Sequence, residues 1–347
     1  MKLSRRSVNK LILGAGLAAP FHFVRPAIAQ PMPGDELVVG IWGGAQEAIV
    51  KEFVEPAIVE KYGCKVSYVL GGTGDRRAVA YAERGRPSFD VIYLNIFESR
   101  QAVADGVTQA PTEAVPNYEY LYPAARKGGY GVAFNPCTIV YDKTKASKPV
   151  TSWKDMWNPE WKGRIAWPVG VGAEGIAGMV MAARVWGGSE SDMEPGFAKI
   201  QELKPFPAIN SSQAQLFEMF DQGLCDMSVE FGSFTRTYAE TRNPNIAIAD
   251  PVEGQALTMN VACITEGTRN QVLAEEWVNL HLSEPCMLAY AEKIYYSPTV
   301  SNITVPDALK PKLVLGDDVA KLVDFDWDTI IANKDKWQAR FDREIAG

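Results

Sequence analysis

Glu230 stands in "SVEFGS", a carboxylate in an otherwise apolar run that ends at Gly232. Such a residue needs a partner, because an unpaired buried charge is costly. A bound ammonium would serve, and so would an internal arginine. Upstream, "IWGGAQ" sets Trp42 before Gly43 and Gly44 at the end of a second apolar run. An indole there can stack on a ligand that the two glycines allow to come close, and core packing is the alternative use for it. "LGGTGDRR", Leu70 to Arg77, lacks the Lys-Ser/Thr of a phosphate loop and does not fit G-x-G-x-x-G. The backbone amides around Thr73 and Gly74 could still receive an anionic end, while a tight turn needing positive φ explains the glycines equally well. "KIYYSPT" supplies Tyr295 and Tyr296 before a proline turn, as site aromatics or as core. These are residue types that hold cations and apolar bodies.

Catalytic chemistry has less to stand on. His281 is the only histidine beyond the first thirty residues, and its spacing with Trp277 and Leu280 reads as an ordinary helix position. Neither a His-rich metal site nor a His-based triad can be assembled from it. The five cysteines (Cys64, Cys137, Cys225, Cys263, Cys286) lie far apart with no C-x-x-C, which reads as buried thiols. No G-x-S-x-G is present.

The elements that must position the candidates follow from periodicity. "DELVVGIW" reads as a strand, "AQEAIVKEFVEPAIVEKYG" as one helix stopped by Gly63, and "CKVSYVL" as a second strand. A glycine turn and helix follow, then a third strand, "FDVIYLN", whose end adds Asn95 and Phe97 to the candidate set. Strand and helix alternating at this spacing predict a parallel sheet wrapped by crossover helices. The pattern breaks where two β-rich runs flank Asn135-Pro136. It then resumes with "GRIAWPV", an Ala-rich helix from about Glu174 to Trp186, and "CDMSVEF", before returning through "LTMNVACI". Two α/β units are therefore expected.

Composition bounds the function. The chain has 347 residues, 47% apolar and 22% charged, enough for two domains. Leu11 to Val24 is apolar, follows Arg5, Arg6 and Lys10, and is too short to span a bilayer, so residues 1–29 read as a signal peptide cleaved near Gln30. "SRRSVNK" resembles a twin-arginine export signal. Its removal deletes five basic residues and no acidic one, which moves the formal charge from −7 to −12. Such a surface disfavours nucleic acid and anionic membranes as partners.

"VTSWKDMWNPEWKGRI" resembles a segment of the spermidine/putrescine-binding proteins of bacterial ABC importers, where the form is V-T-S-W-x-D-L-W-x-P-E-Y/W-K-G. "FDVIYL", "VEGQALTMN" and "YYSPT" follow the family's order as well. The resemblance implies a class II periplasmic-binding-protein fold. That means two Rossmann-like α/β domains, 35–133 plus 260–303 and 134–259 plus 304–347, joined by hinge strands near Phe134–Val140 and Met259–Ile264. It implies a periplasmic monomer with one ligand in the cleft, delivered to a membrane permease, and neither cofactor nor metal. Trp42, Ser211 or Ser212, Tyr296, Asp326 and Trp327 match the family's ligand positions. The family's Trp-Met-Asp becomes Thr258-Met259-Asn260, its second-domain tryptophan becomes Glu230, and Glu174 falls near another acidic position, so the amine-binding chemistry is rearranged. Four of the nine tryptophans crowd into Trp153 to Trp167. Ser152 as N-cap, Pro159 as helix start and Gly163 as stop make that stretch framework, with Trp153 and Trp157 on one helical face.

The leading expectation is a binding protein for a small amine or related zwitterion, with Trp42, Tyr296 and Trp327 as walls and Glu230 and Glu174 as counter-charge. A carrier of the same fold for another solute, such as ferric iron held by Tyr295-Tyr296, an amino-acid-like compound or an aromatic acid, is the alternative. An exported hydrolase built on paired carboxylates is a third class.

Overall fold

A computed structural model describes residues 31–347 apart from Pro33; the signal peptide and twin-arginine motif lie outside the described residues. The strands are β1 (Glu36–Ile41), β2 (Lys65–Leu70), β3 (Val91–Asn95), β4 (Tyr130–Phe134), β5 (Cys137–Asp142), β6 (Trp167–Pro168), β7 (Ile209–Asn210), β8 (Met227–Phe231), β9 (Ile246–Ile248) and β10 (Met259–Ile264). The helices are α1 (Ala45–Phe53), α2 (Glu55–Tyr62), α3 (Thr73–Ala82), α4 (Ile96–Ala104), α5 (Ala173–Val185), α6 (Glu194–Glu202), α7 (Gln213–Asp221), α8 (Gly232–Thr241), α9 (Gln271–His281), α10 (Glu284–Ile294) and α11 (Trp327–Phe341).

The first sheet runs β2-β1-β3-β10-β4. β2, β1 and β3 are parallel, whereas β10 returns from far along the chain and inserts antiparallel between β3 and β4. β3 is buried from Val91 to Leu94, which its unbroken apolar run requires of a strand covered on both faces. The second layer is smaller: a β8-β5-β9 sheet and a two-stranded β6-β7 pair. β4 and β5 are separated only by Asn135-Pro136, so the chain steps from one sheet to the other across two residues. It steps back where Ala256, bridged to Cys137, leads into β10.

The single helix expected over 45–63 is two. Val54 breaks it, with φ −109 and ψ −52, two residues ahead of Pro56. Proline has no N–H to continue the ladder and its ring crowds the preceding turn, so the helix restarts with Pro56 in its first turn. Gly63 does end α2 in the left-handed conformation, at φ 65. The tryptophan-rich stretch forms two 3-10 turns rather than an α-helix, Trp153–Trp157 and Pro159–Trp161. Ser152 caps the first in a capping box with Asp155.

Candidate functional site

A cavity of about 800 Å³ opens between the two sheets. Its walls come from carboxyl ends of strands: Trp42 and Gly43 after β1, Asn95 at the end of β3 with Ile96 and Phe97 beyond it, and Phe231 at the end of β8 with Phe234 beyond it. Loops and helix starts follow strand ends in an open α/β sheet, so side chains there face a crevice, not a neighbouring strand. Asn135, between β4 and β5, and Thr258 with the first two residues of β10, Met259 and Asn260, close its back.

Glu174 and Glu230 dominate the electrostatics. β8 carries Glu230 inward opposite Thr138 of β5, and the residue is 1% exposed. Its carboxylate accepts the Phe231 amide at 2.8 Å. Glu174 enters from the first turn of α5 and lines the cavity directly. Among the described residues, no arginine or lysine forms an ion pair with either. Burial pushes the Glu230 carboxyl well above the ordinary carboxylate range, and the neighbouring Glu174 charge adds to the rise, against the opposing hydrogen bonds from Phe231 and Gln213. Burial raises Glu174 as well. Two neighbouring carboxyls in such surroundings cannot both ionise cheaply, so ionisation of the pair is disfavoured in the empty site, and a bound cation would oppose that rise.

Eight aromatic residues contribute to the remaining lining. The Trp42 indole donates to Thr73 Oγ1 at 3.1 Å, and the Arg76 guanidinium lies 4.6 Å from its ring centre. Arg76 is itself buried, donates to the carbonyls of Gly71 and Tyr93, and is pulled down to about 10 by burial. Trp327 stacks on Phe97, with centroids 6.1 Å apart and planes 19° apart, and donates to Asp324 at 3.1 Å. Tyr296 meets Phe234 edge-on at 5.9 Å, and Phe234 meets Phe231 at 5.8 Å. Asn260 donates to Gln46 at 2.9 Å, a polar link between β10 and α1 on the cavity lining.

The structure brings Trp42, Gly43, Asn95, Phe97, Glu174, Asn260, Tyr296 and Trp327 together on the lining; Glu230 is not itself on it but is close enough to Glu174 for their charges to interact. Gly44, Thr73, Gly74, Ser211, Ser212 and Asp326 are not part of that lining. Thr73 instead holds the Trp42 indole, Ser212 caps α7 and Asp326 caps α11. Ser211 bonds Gln215. The residues that sequence reasoning missed are chiefly on α8: Phe234, Thr237, Tyr238 and Thr241, joined by Gln46, Asn135, Gln213 and Met259. The 3- and 4-residue spacing of the α8 set was the available signal, but it reads equally well as a core stripe.

The other candidates are framework. Trp153, Trp161 and Trp167 are fully buried, and the Trp153 and Trp157 indoles donate to the carbonyls of Gly254 and Lys199. His281 is in the core, bonded through Nδ1 to the Tyr93 hydroxyl at 2.7 Å, and burial lowers it to about 3. All five cysteines are free and buried. Among the described residues no cluster of His, Cys, Asp and Glu has the makings of a metal site, and no helix is long and apolar enough to cross a membrane.

The family model for bacterial extracellular solute-binding proteins matches residues 48–313, well over half of the chain. The chain belongs to that family. It is a solute-binding protein, not an enzyme, and it has the α/β periplasmic-binding-protein fold of class II. It is similar to an ABC transporter structure from Clostridium perfringens, at 24% identity and a TM-score of 0.79, covering 89% of this chain and 99% of that one. A spermidine/putrescine ABC transporter substrate-binding protein from Streptococcus pneumoniae aligns at 18% identity and a TM-score of 0.72, over 90% and 99% of the two chains. An uncharacterized protein of Haemophilus influenzae is 25% identical over 256 residues, 68% of this chain and 70% of its own.

Proposed function

We propose that this solute-binding protein is the exported capture component of an ABC importer and that its solute is a small organic cation, a polyamine or a zwitterion with an ammonium end. The observation that carries the reading is the Glu174–Glu230 pair, Glu230 buried and Glu174 on the lining of a cavity with aromatic walls: neither is ion-paired to an arginine or lysine among the described residues, and Arg242, the cation on that lining, is paired with Asp221. A ligand ammonium supplies the missing charge, and Trp42, Phe97, Tyr296 and Trp327 supply faces for its methylenes. Asn95 and Asn260 offer neutral hydrogen bonds from the cavity lining. Tandem Tyr295-Tyr296 does not favour ferric iron, because Tyr296 borders this cavity and Tyr295 borders a different one.

Capture would involve two lobes, 35–133 plus 260–303 and 134–259 plus 304–347, closing about the Asn135-Pro136 step and the start of β10, as hinge motion does around ligands in periplasmic binding proteins. Calorimetric titration with putrescine, spermidine, γ-aminobutyrate and an amine-free diol of similar length tests the reading. Saturable binding of at least one amine and none of the diol is expected. Binding of the diol as tight as that of every amine would refute it.

A further inference from the structure

A second large cavity, of about 750 Å³, lies on the other side of the wall that backs the cleft. Asn135 borders both spaces. α8 divides them: Phe234, Thr237 and Tyr238 face the cleft, whereas Ser233 and Arg236 face the rear. Tyr296 and Tyr295 split in the same way, the turn being made by Tyr295 in the left-handed conformation at φ 56.

The polar groups of the rear cavity are unequally satisfied. Lys310, Lys312 and Lys321 are paired with Asp307, Glu240 and Asp318. Glu253 is committed to Ser152 and to the Trp153 amide. Arg236, half-buried, has neither an ion pair nor a hydrogen-bond acceptor within reach among the described residues; burial lowers its pKa, and the charges of Glu240 and Tyr295 offset only part of that. Ser233 is 5% exposed and its hydroxyl is likewise without a partner. A guanidinium with no hydrogen-bonded acceptor and a buried hydroxyl with no partner, both on one face of α8, can together serve an acceptor with two oxygens. Ile248, Leu313, Val314 and Leu322 provide apolar walls around it. Asp250, which also lines the cavity, disfavours a polyanion.

We propose that this rear cavity is a second ligand site, for a small monocarboxylate with an apolar body, held bidentately by Arg236 with the Ser233 hydroxyl donating to the same carboxylate. Because α8 is the common wall, occupancy of the rear site bears on the position of Phe234 and Tyr238 in the cleft. The site does not depend on the identity of the cleft solute.

Calorimetry with benzoate, butyrate and inorganic phosphate tests it on the whole exported protein. Saturable binding of benzoate or butyrate is expected, weakened about tenfold to a hundredfold in Arg236→Gln by loss of a charge-assisted pair. Ser233→Ala, which removes one neutral donor, should weaken it about two- to tenfold. Glu230→Gln, which acts on the amine arm, should leave the benzoate isotherm in place. Absence of saturable benzoate and butyrate binding overturns the proposal. So does binding that survives in both α8 variants but is lost in Glu230→Gln, which would put the carboxylate in the cleft. Phosphate binding more tightly than either carboxylate overturns the ligand class.

Discussion

Replacing Glu230 by glutamine separates the function of the carboxyl pair from its cost. The substitution keeps the shape of the side chain and removes one ionisable group from a position that is 1% exposed and has no protein cation beside it among the described residues. With a ligand ammonium bound, the carboxylate makes a charge-assisted hydrogen bond worth roughly 1.5–3 kcal/mol net, so Kd should rise about ten- to more than a hundredfold. A bare Coulomb term of about 4 kcal/mol at 4 Å and an effective dielectric of 20 bounds the effect from above. The empty protein should respond in the opposite direction. A carboxyl whose pKa is raised by folding contributes stability that is complete below the unfolded value, near 4.3, and lost as pH rises through the folded value. Wild type therefore loses this stability at neutral pH and Glu230→Gln does not. The variant should melt higher than wild type at pH 7 without ligand, and the gap should close near pH 4. Calorimetric titration with the tightest amine, together with thermal melts from pH 4 to 8, measures both. An unchanged Kd, with a lower variant Tm at pH 7, would refute the assignment and make Glu230 an internally satisfied structural group.

A bound cation would favour the ionised form of the Glu174–Glu230 pair, so wild-type amine affinity should increase with pH above the ordinary carboxylate range, and titrations in buffers of different ionisation enthalpy should show proton release; a flat profile without release would contradict this. Ligand-induced change in tryptophan fluorescence should survive Trp157→Phe and be largely lost in Trp42→Phe, with small-angle scattering showing contraction on binding; dependence on Trp157 and no contraction would return the site to the tryptophan-rich stretch. His281 is buried and neutral, so the pH sign is reversed there: with its pKa lowered to about 3, unfolding takes up a proton below pH 6.5. Stability should fall by up to about 1.4 kcal/mol per pH unit on acidification through that window, and His281→Gln should flatten the slope in denaturant titrations. Precursor with Arg5 and Arg6 changed to lysine should stay in the cytoplasm in a fractionation assay, whereas normal export would rule out the twin-arginine route.

Much of the scaffold was legible in the chain. The apolar run at Val91–Leu94 could only be a strand buried on both faces, Gly63 could end α2 at positive φ, and Ser152 with Asp155 could form a capping box, because each of these rests on neighbours within a few residues. Trp42 and Tyr296 were legible as site candidates for the same reason, an aromatic beside a glycine pair or a proline turn. Pro56 shows the limit even of local reading, since a periodic pattern ran straight through a residue that breaks the ladder.

What the tertiary structure alone decided is who stands next to whom. Glu230 could be read as a carboxylate in need of a cation, but whether an arginine supplied it depended on packing between β8 and α5, and packing supplied a second carboxyl instead. α8 carries a helical stripe that sequence reads as core, yet one face borders the cleft and the other a separate cavity, and only the placement of β4, β5 and β10 around it determines that. Tyr295 and Tyr296 are adjacent in the chain and open onto opposite sides of one wall. Periodicity and capping are set by short-range sterics that each residue type carries with it, whereas burial, charge pairing and the sidedness of a cavity arise from long-range contacts that no local pattern specifies.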